Sequence, residues 1–117
     1  MKKYDVIIVG AGPAGSTTAR YIDPLRSGIS VLLIESRRQV GLPMQCGEAL
    51  PHYRDVKMAF PRIDCPEVFD LPPHVIASEI HGIKFVLPRG KSYFADVTGW
   101  MFYRDRLDQY LFSQAIA

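Results

Sequence analysis

The sequence lacks much of what several functions would need. It holds two cysteines in 117 residues, Cys46 and Cys65. Neither belongs to a CxxC pair or a Cys/His cluster, so no metal site is predicted. Free thiols of this kind fit a reducing compartment. No apolar run approaches the roughly 20 residues of a membrane-spanning helix. The opening MKKYD is basic, but the apolar stretch after it stops at Gly10 after four residues, shorter than the core of a signal peptide. Charge of one sign is scarce too. The formal net charge is +2 and the 14 basic residues are scattered, which argues against nucleic acid as a partner. There is no internal repeat or low-complexity tract. These absences predict a soluble, cytoplasmic protein, and peripheral contact with a membrane is the association they leave open.

What is present is ordinary globular composition, 48% hydrophobic and 22% charged, at a length that suits one small domain. Val6-Ile7-Ile8-Val9 is a β-branched run bounded by Gly10, and it reads as a strand buried on both faces. Ala14 to Ile22 reads as a helix, ended near Tyr21 to Asp23 because Pro24 cannot continue it. Ser30 to Ile34 reads as a second buried strand, ending at Glu35. Residues 4–35 are therefore a βαβ unit. The segment 36–80 is repeatedly interrupted by proline and shows no clean period, so it reads as a long loop with short helical pieces. Ile83 to Leu87 and Ser92 to Val97 flank PRGK and read as a hairpin over about 83–97. Phe85, Tyr93, Phe94, Trp100, Phe102 and Tyr103 read as core of that region rather than as a ligand pocket. A helix over about 104–117 places Leu107, Leu111 and Ala115 on one face. It carries neither a cap nor a following strand.

Chemistry concentrates at the first turn. Gly10, Gly12 and Gly15 form G-x-G-x-x-G. Gly10 permits the tight turn out of the strand, Gly12 lets backbone approach a pyrophosphate, and Gly15 lets the helix pack closely. Pro13 suits the first helical position, where its missing N–H costs nothing. The helix N-terminus then offers free N–H groups and a positive dipole end to phosphates. Glu35 lies 20 residues after Gly15, about the spacing of an acid that binds ribose hydroxyls. Its charge repels a 2′-phosphate and argues against NADP. NAD and FAD fit these mechanics equally. The fold class is α/β, a Rossmann-like βαβ start.

Three stretches carry a resemblance. DVIIVGAGPAG with VLLIESR resembles the FAD-binding start of two-dinucleotide-fold flavoproteins. GLPMQCGEALP and YRDRLDQYL resemble segments of the geranylgeranyl reductase family, with Leu107 where phenylalanine is usual. The order and spacing are similar to that family, notably its archaeal members, over essentially the whole chain. The resemblance implies a fold similar to para-hydroxybenzoate hydroxylase, with FAD as cofactor. It implies a reaction that saturates isoprenoid C=C bonds of membrane lipids, with electrons from NAD(P)H or a ferredoxin-like donor. A prenylated lipid would be the substrate. Later FAD motifs of the family are missing, so the chain is expected to be an N-terminal part, inactive alone.

Carried over, the resemblance places Ala14 and Gly15 along the pyrophosphate and Glu35 on the adenosine ribose. Cys46, Gly47 and Ala49 would approach the flavin, and Arg104 would reach the FAD. Cys46 has three readings, a proton donor to the alkene, a packing residue beside the flavin, or a thiol with no role. Arg104 could instead pair with Asp108 one turn on, which would contribute only about 0.3–0.5 kcal/mol if exposed. Arg37 could face adenine or phosphate, or belong to a solvated basic edge. Two other readings stand beside the reductase: an aromatic hydroxylase or halogenase of the same fold, and a non-catalytic nucleotide-binding fragment.

Overall fold

A parallel two-stranded sheet begins the computed structural model of the chain, which describes residues 2–22 and 27–117. Strand β1 (Val6–Val9) pairs with β2 (Val31–Ile34), Val6 opposite Val31 and Val9 opposite Ile34. Helix α1 (Pro13–Tyr21) lies between them in sequence and starts at Pro13 rather than Ala14. Pro24, expected to stop this helix, lies outside the described residues.

Later in the chain come β3 (Ala49–Pro51), helix α2 (Tyr53–Ala59), β4 (Ile76–Ile80), β5 (Ile83–Val86), β6 (Ser92–Ala95), β7 (Gly99–Phe102) and helix α3 (Arg104–Ala115). The chain folds as two compact units, Met1–Cys46 with Arg104–Ala117, and Gly47–Tyr103.

In the first unit, α1 packs on β1 and β2 and also against α3. Ala11, Ser16, Ala19 and Asp108 are buried there. The expectation that β1 is buried on both faces is corrected: Ile7 is 59% and Val9 81% exposed. Side chains alternate across a strand. Helix α1 covers the face bearing Val6 and Ile8, which are half-buried, and the other face meets solvent.

The reading of 36–80 as a long loop with short helical pieces holds for the helical pieces and is corrected at β3 and β4, which it does not include. That segment contributes β3, α2 and β4. Its prolines mark boundaries rather than disorder. Pro51 closes β3, an edge strand that tolerates a missing donor, while Pro66 and Pro73 open short 3-10 turns. The sheet runs β3-β7-β4, all neighbours antiparallel. Central β7 is tied at its end, where the Phe102 N–H donates to Glu48 O at 2.7 Å and the Tyr103 N–H to Val75 O at 2.9 Å. Phe102 and Val75 form the core.

Asp55 of α2 holds the approach to β7. Its Oδ2 accepts from the Thr98 N–H at 2.7 Å and from Thr98 Oγ1 at 2.9 Å. These bonds, the backbone one foremost, hold the Asp55 carboxyl below its ordinary value. With its proton committed to Asp55, Thr98 Oγ1 accepts from His52 Nδ1 at 3.1 Å. The His52 ring sits 4.6 Å from that of Trp100.

The hairpin β5–β6 forms as expected, Ile83 opposite Ala95. Its aromatics are not core: Phe85, Tyr93 and Phe94 are each more than half exposed. A two-stranded ribbon buries side chains only against another layer, and among the described residues none covers these three. Of the six aromatics expected in the core, Phe102 is the one that is fully buried, in β7.

Candidate functional site

The first unit carries an open cleft of about 410 Å³. Gly10, Gly12 and Pro13 line one wall, Glu35 to Arg37 another, and the loop from Gly41 to Cys46 a third, with Arg104 and Asp108 reaching in from α3. The sequence-predicted residues Gly10, Gly12, Pro13, Glu35, Arg37, Cys46 and Arg104 thus share one cavity.

The glycines divide by what they meet. A Cβ on Gly15 would lie 1.9 Å from Gly10 O, so this position must stay bare for α1 to pack on the turn. Gly10 has φ +100°, which glycine adopts without cost. Gly12 has neither reason. Its φ is −69° and a Cβ there would meet nothing within 4 Å. The open space lies in the cleft, where a close backbone approach to a ligand is the remaining use of a missing Cβ. Gly12 is also the N-cap of α1 and supplies no capping side chain. Pro13 has no N–H, and the Ser16 N–H already bonds Gly12 O at 2.9 Å. The first-turn donors left to an incoming anion are those of Ala14 and Gly15.

Glu35 directly follows β2 and turns its carboxylate to the same place. Oε2 accepts from the Ala11 N–H at 2.8 Å and Oε1 from the Arg37 N–H at 2.9 Å. These bonds, that to Arg37 foremost, hold the carboxyl below its ordinary value. Glu35 thus joins β2 to the glycine turn; Oε1 also accepts from Ser36 Oγ at 3.3 Å, so it is Oε2 that keeps a second lone pair for a ribose hydroxyl. The Arg37 side chain donates to Gln45 Oε1 across the loop.

Arg104 makes the pair with Asp108 one turn on that stands as the alternative to a cofactor contact, and makes it largely enclosed at the cleft rather than exposed. Its Nε donates to Asp108 Oδ1 at 2.6 Å, with the two side chains 15% and 10% exposed. This is a mostly buried pair facing the cleft. The Asp108 bond raises the guanidinium pKa above its ordinary value; burial opposes this, and a smaller hydrogen bond to Cys46 assists it.

Gly41, at φ +87°, brings the loop onto α3, since a Cβ there would lie 2.9 Å from Asp105 O and 3.2 Å from Asp108 Cβ. Gln109 Nε2 donates to Val40 O at 3.4 Å beside it. Gly41, Gln45 and Asp108 are cleft residues that sequence reasoning did not assign to the site. The left-handed Gly41 ahead of Pro43 was the available signal.

Four expected residues do not line the cleft: Gly15, packed against the Gly10 carbonyl, and Ala14, Gly47 and Ala49. Ala14 faces a shallow depression on the outer side of α1, with Thr17 and Tyr21. Gly47 and Ala49 belong to the second unit, Ala49 opening β3 opposite Met101. Cys46 is exposed at the cleft. Among the described residues no helix is long and apolar enough to cross a membrane, and no three potential ligands gather around a metal position.

A glycine turn, an uncapped helix start and an acid ending the next strand define a dinucleotide-binding α/β protein. The chain belongs to the NAD(P)-binding Rossmann-like domain family, which it matches over residues 8–85.

Its relatives are more particular. It is 35% identical over 113 residues to a protein from the nifH2 5′ region of Methanosarcina barkeri, covering 96% of this chain and 60% of that one. It is 33% identical over 116 residues to the digeranylgeranylglycerophospholipid reductase of Picrophilus torridus, covering 92% of this chain and 26% of the reductase. The crystal structure of a geranylgeranyl bacteriochlorophyll reductase-like protein from Thermoplasma acidophilum superposes with a TM-score of 0.74 at 30% identity, covering 97% of this chain and 28% of that one. The halogenase PltM, solved with phloroglucinol and FAD, shares the fold at a TM-score of 0.65 and 20% identity. The chain therefore spans about a quarter of the length of the named enzymes.

Proposed function

We propose that the chain forms the adenine-dinucleotide part of the FAD site in a flavin-dependent oxidoreductase that saturates prenyl C=C bonds. The observation that carries the cofactor half is Gly12, bare without internal reason at the mouth of an uncapped helix. FAD is preferred over NAD by the similarity to the reductases. When bound, FAD supplies the hydride that alkene reduction requires.

The chain's own residues would bind and orient. The α1 N-terminus receives the diphosphate with the Ala14 and Gly15 N–H groups and its dipole. Glu35 accepts from the ribose hydroxyls and repels a 2′-phosphate. Arg104 offers a fixed cationic fork to phosphate oxygens. Cys46, on the same cleft, is the proposed proton donor or packing residue, and Gly47 and Ala49 remain proposed flavin neighbours.

The substrate half is supported by similarity to digeranylgeranylglycerophospholipid reductases. A prenylated lipid, an NAD(P)H or ferredoxin-like electron donor, and residence in the cytoplasm or at a membrane surface belong to this proposal. The test is to reconstitute the gene product with FAD, reduce it with dithionite, and supply a geranylgeranyl lipid. Mass spectrometry should show the gain of two hydrogens per double bond. A flavin-bound protein that leaves prenyl lipids untouched and hydroxylates or halogenates an aromatic acid would instead support the second reading. That reading is favoured by the shared fold with the halogenase.

A further inference from the structure

We propose that the β5–β6 hairpin docks the chain on an anionic lipid bilayer, its uncharged face entering the headgroup boundary and its basic side chains meeting lipid phosphates. The inference deepens the membrane residence within the reading above and rests on that part of it.

The hairpin lies wholly within the second unit. Residues 83–94 are exposed without exception. Among them are six large apolar or aromatic side chains, Ile83, Phe85, Val86, Leu87, Tyr93 and Phe94. Side chains alternate along a strand, so the ribbon has two faces, and the sequence makes them unequal. Ile83 pairs with Ala95 and Phe85 with Tyr93, so these four share one face, and it carries no charge. Lys84 pairs with Phe94 and Val86 with Ser92 on the other face, where Lys84 places a cation. Tyrosine suits a bilayer boundary, because its ring is apolar and its hydroxyl reaches water.

Charge selects the occupant. Residues 82–95 hold Lys84, Arg89 and Lys91 and no acid. The whole chain is close to balanced, with 14 basic residues against 12 acidic, so this excess is local to the hairpin. Arg89 and Lys91 flank Gly90 at the turn, which the Leu87 N–H closes on Lys91 O at 2.7 Å. Among the described residues none of the three cationic side chains enters an ion pair. An uncharged aromatic face beside cations alone is the chemistry of an interfacial anchor on anionic lipid. Pairing of two hairpins from separate copies would instead bring like charges together.

The experiment sediments the full chain with vesicles of phosphatidylcholine and phosphatidylglycerol in equal parts, and with vesicles of phosphatidylcholine alone. Binding to the mixed vesicles is expected, at least about tenfold weaker without phosphatidylglycerol and weakened by added salt. Lys84→Gln with Lys91→Gln should lose about thirtyfold on the mixed vesicles, at about fivefold per basic side chain. Phe85→Thr should lose about tenfold, whereas Val86→Thr, more exposed but on the opposite face, should stay within about threefold of the wild type. Circular dichroism checks that each variant keeps its fold, and the lysine pair tests the claim if Phe85→Thr does not. Equal binding to the two vesicle types would overturn the inference, as would equal losses at Phe85 and Val86. A wild type that binds the mixed vesicles while the lysine pair and Phe85→Thr match it overturns this inference alone. A wild type that binds neither vesicle overturns the membrane residence and this inference together.

Discussion

At the residue scale, two glycines of one motif answer to different forces, and substitution separates them. Gly15→Ala forces a methyl against the Gly10 carbonyl and should cost about 1–3 kcal/mol of stability, read by chemical denaturation. Gly12→Ala should leave stability within about 0.5 kcal/mol, because nothing in the protein meets the new methyl. It should nonetheless weaken ADP binding by at least about tenfold. Equal stability losses at the two positions would contradict the assignment of Gly12 to ligand approach.

Glu35 adds a pH dependence. Its folded carboxyl titrates below its ordinary value, so its contribution to stability is complete above the unfolded value. That contribution disappears as pH falls through the lowered folded value. Asp55 behaves the same way. Denaturation midpoints should therefore fall on acidification below about pH 4.5, and Glu35→Gln should make that fall shallower. The spacing of these residues was legible because the dinucleotide turn has a local mechanical logic. Asp108 was legible only as a helix neighbour of Arg104. Its burial depends on Gly41, 67 positions earlier in the chain, and no local pattern encodes that.

At the element scale, the βαβ unit, the hairpin and the last helix were legible from β-branched runs, turn residues and helical spacing. The β3-β7-β4 sheet was not. Its strands are three to five residues long, β3 ends on Pro51, and β4 reads Ile-Ala-Ser-Glu-Ile with a register shift between Ile76 and Ser78. Such strands are held by long-range partners rather than by an alternating pattern. The same difference in support predicts different protection. The amides of β7, paired on both sides, should exchange slowly with deuterium, whereas those of β5 and β6 should exchange much faster. Equal protection in the two sheets would show that the hairpin is covered in solution.

At the scale of the whole molecule, the first unit carries a formed cleft, and each unit leaves apolar side chains uncovered. Val9, Ile7, Phe85, Val86 and Phe94 are each more than half exposed. Surfaces of this kind associate, so sedimentation should show self-association rising with concentration. The paired changes Val9→Thr and Phe94→Thr should reduce it without loss of folding. The cofactor reading stands apart from these side chains, because none of them lines the cleft. The most direct test is an ¹H–¹⁵N correlation titration of the full chain with ADP. Saturable shifts are predicted at Gly10 to Gly15, Glu35 to Arg37 and the Arg104 side chain, with an affinity on the order of millimolar or tighter. The absence of saturable shifts at those residues under the same conditions would contradict the account.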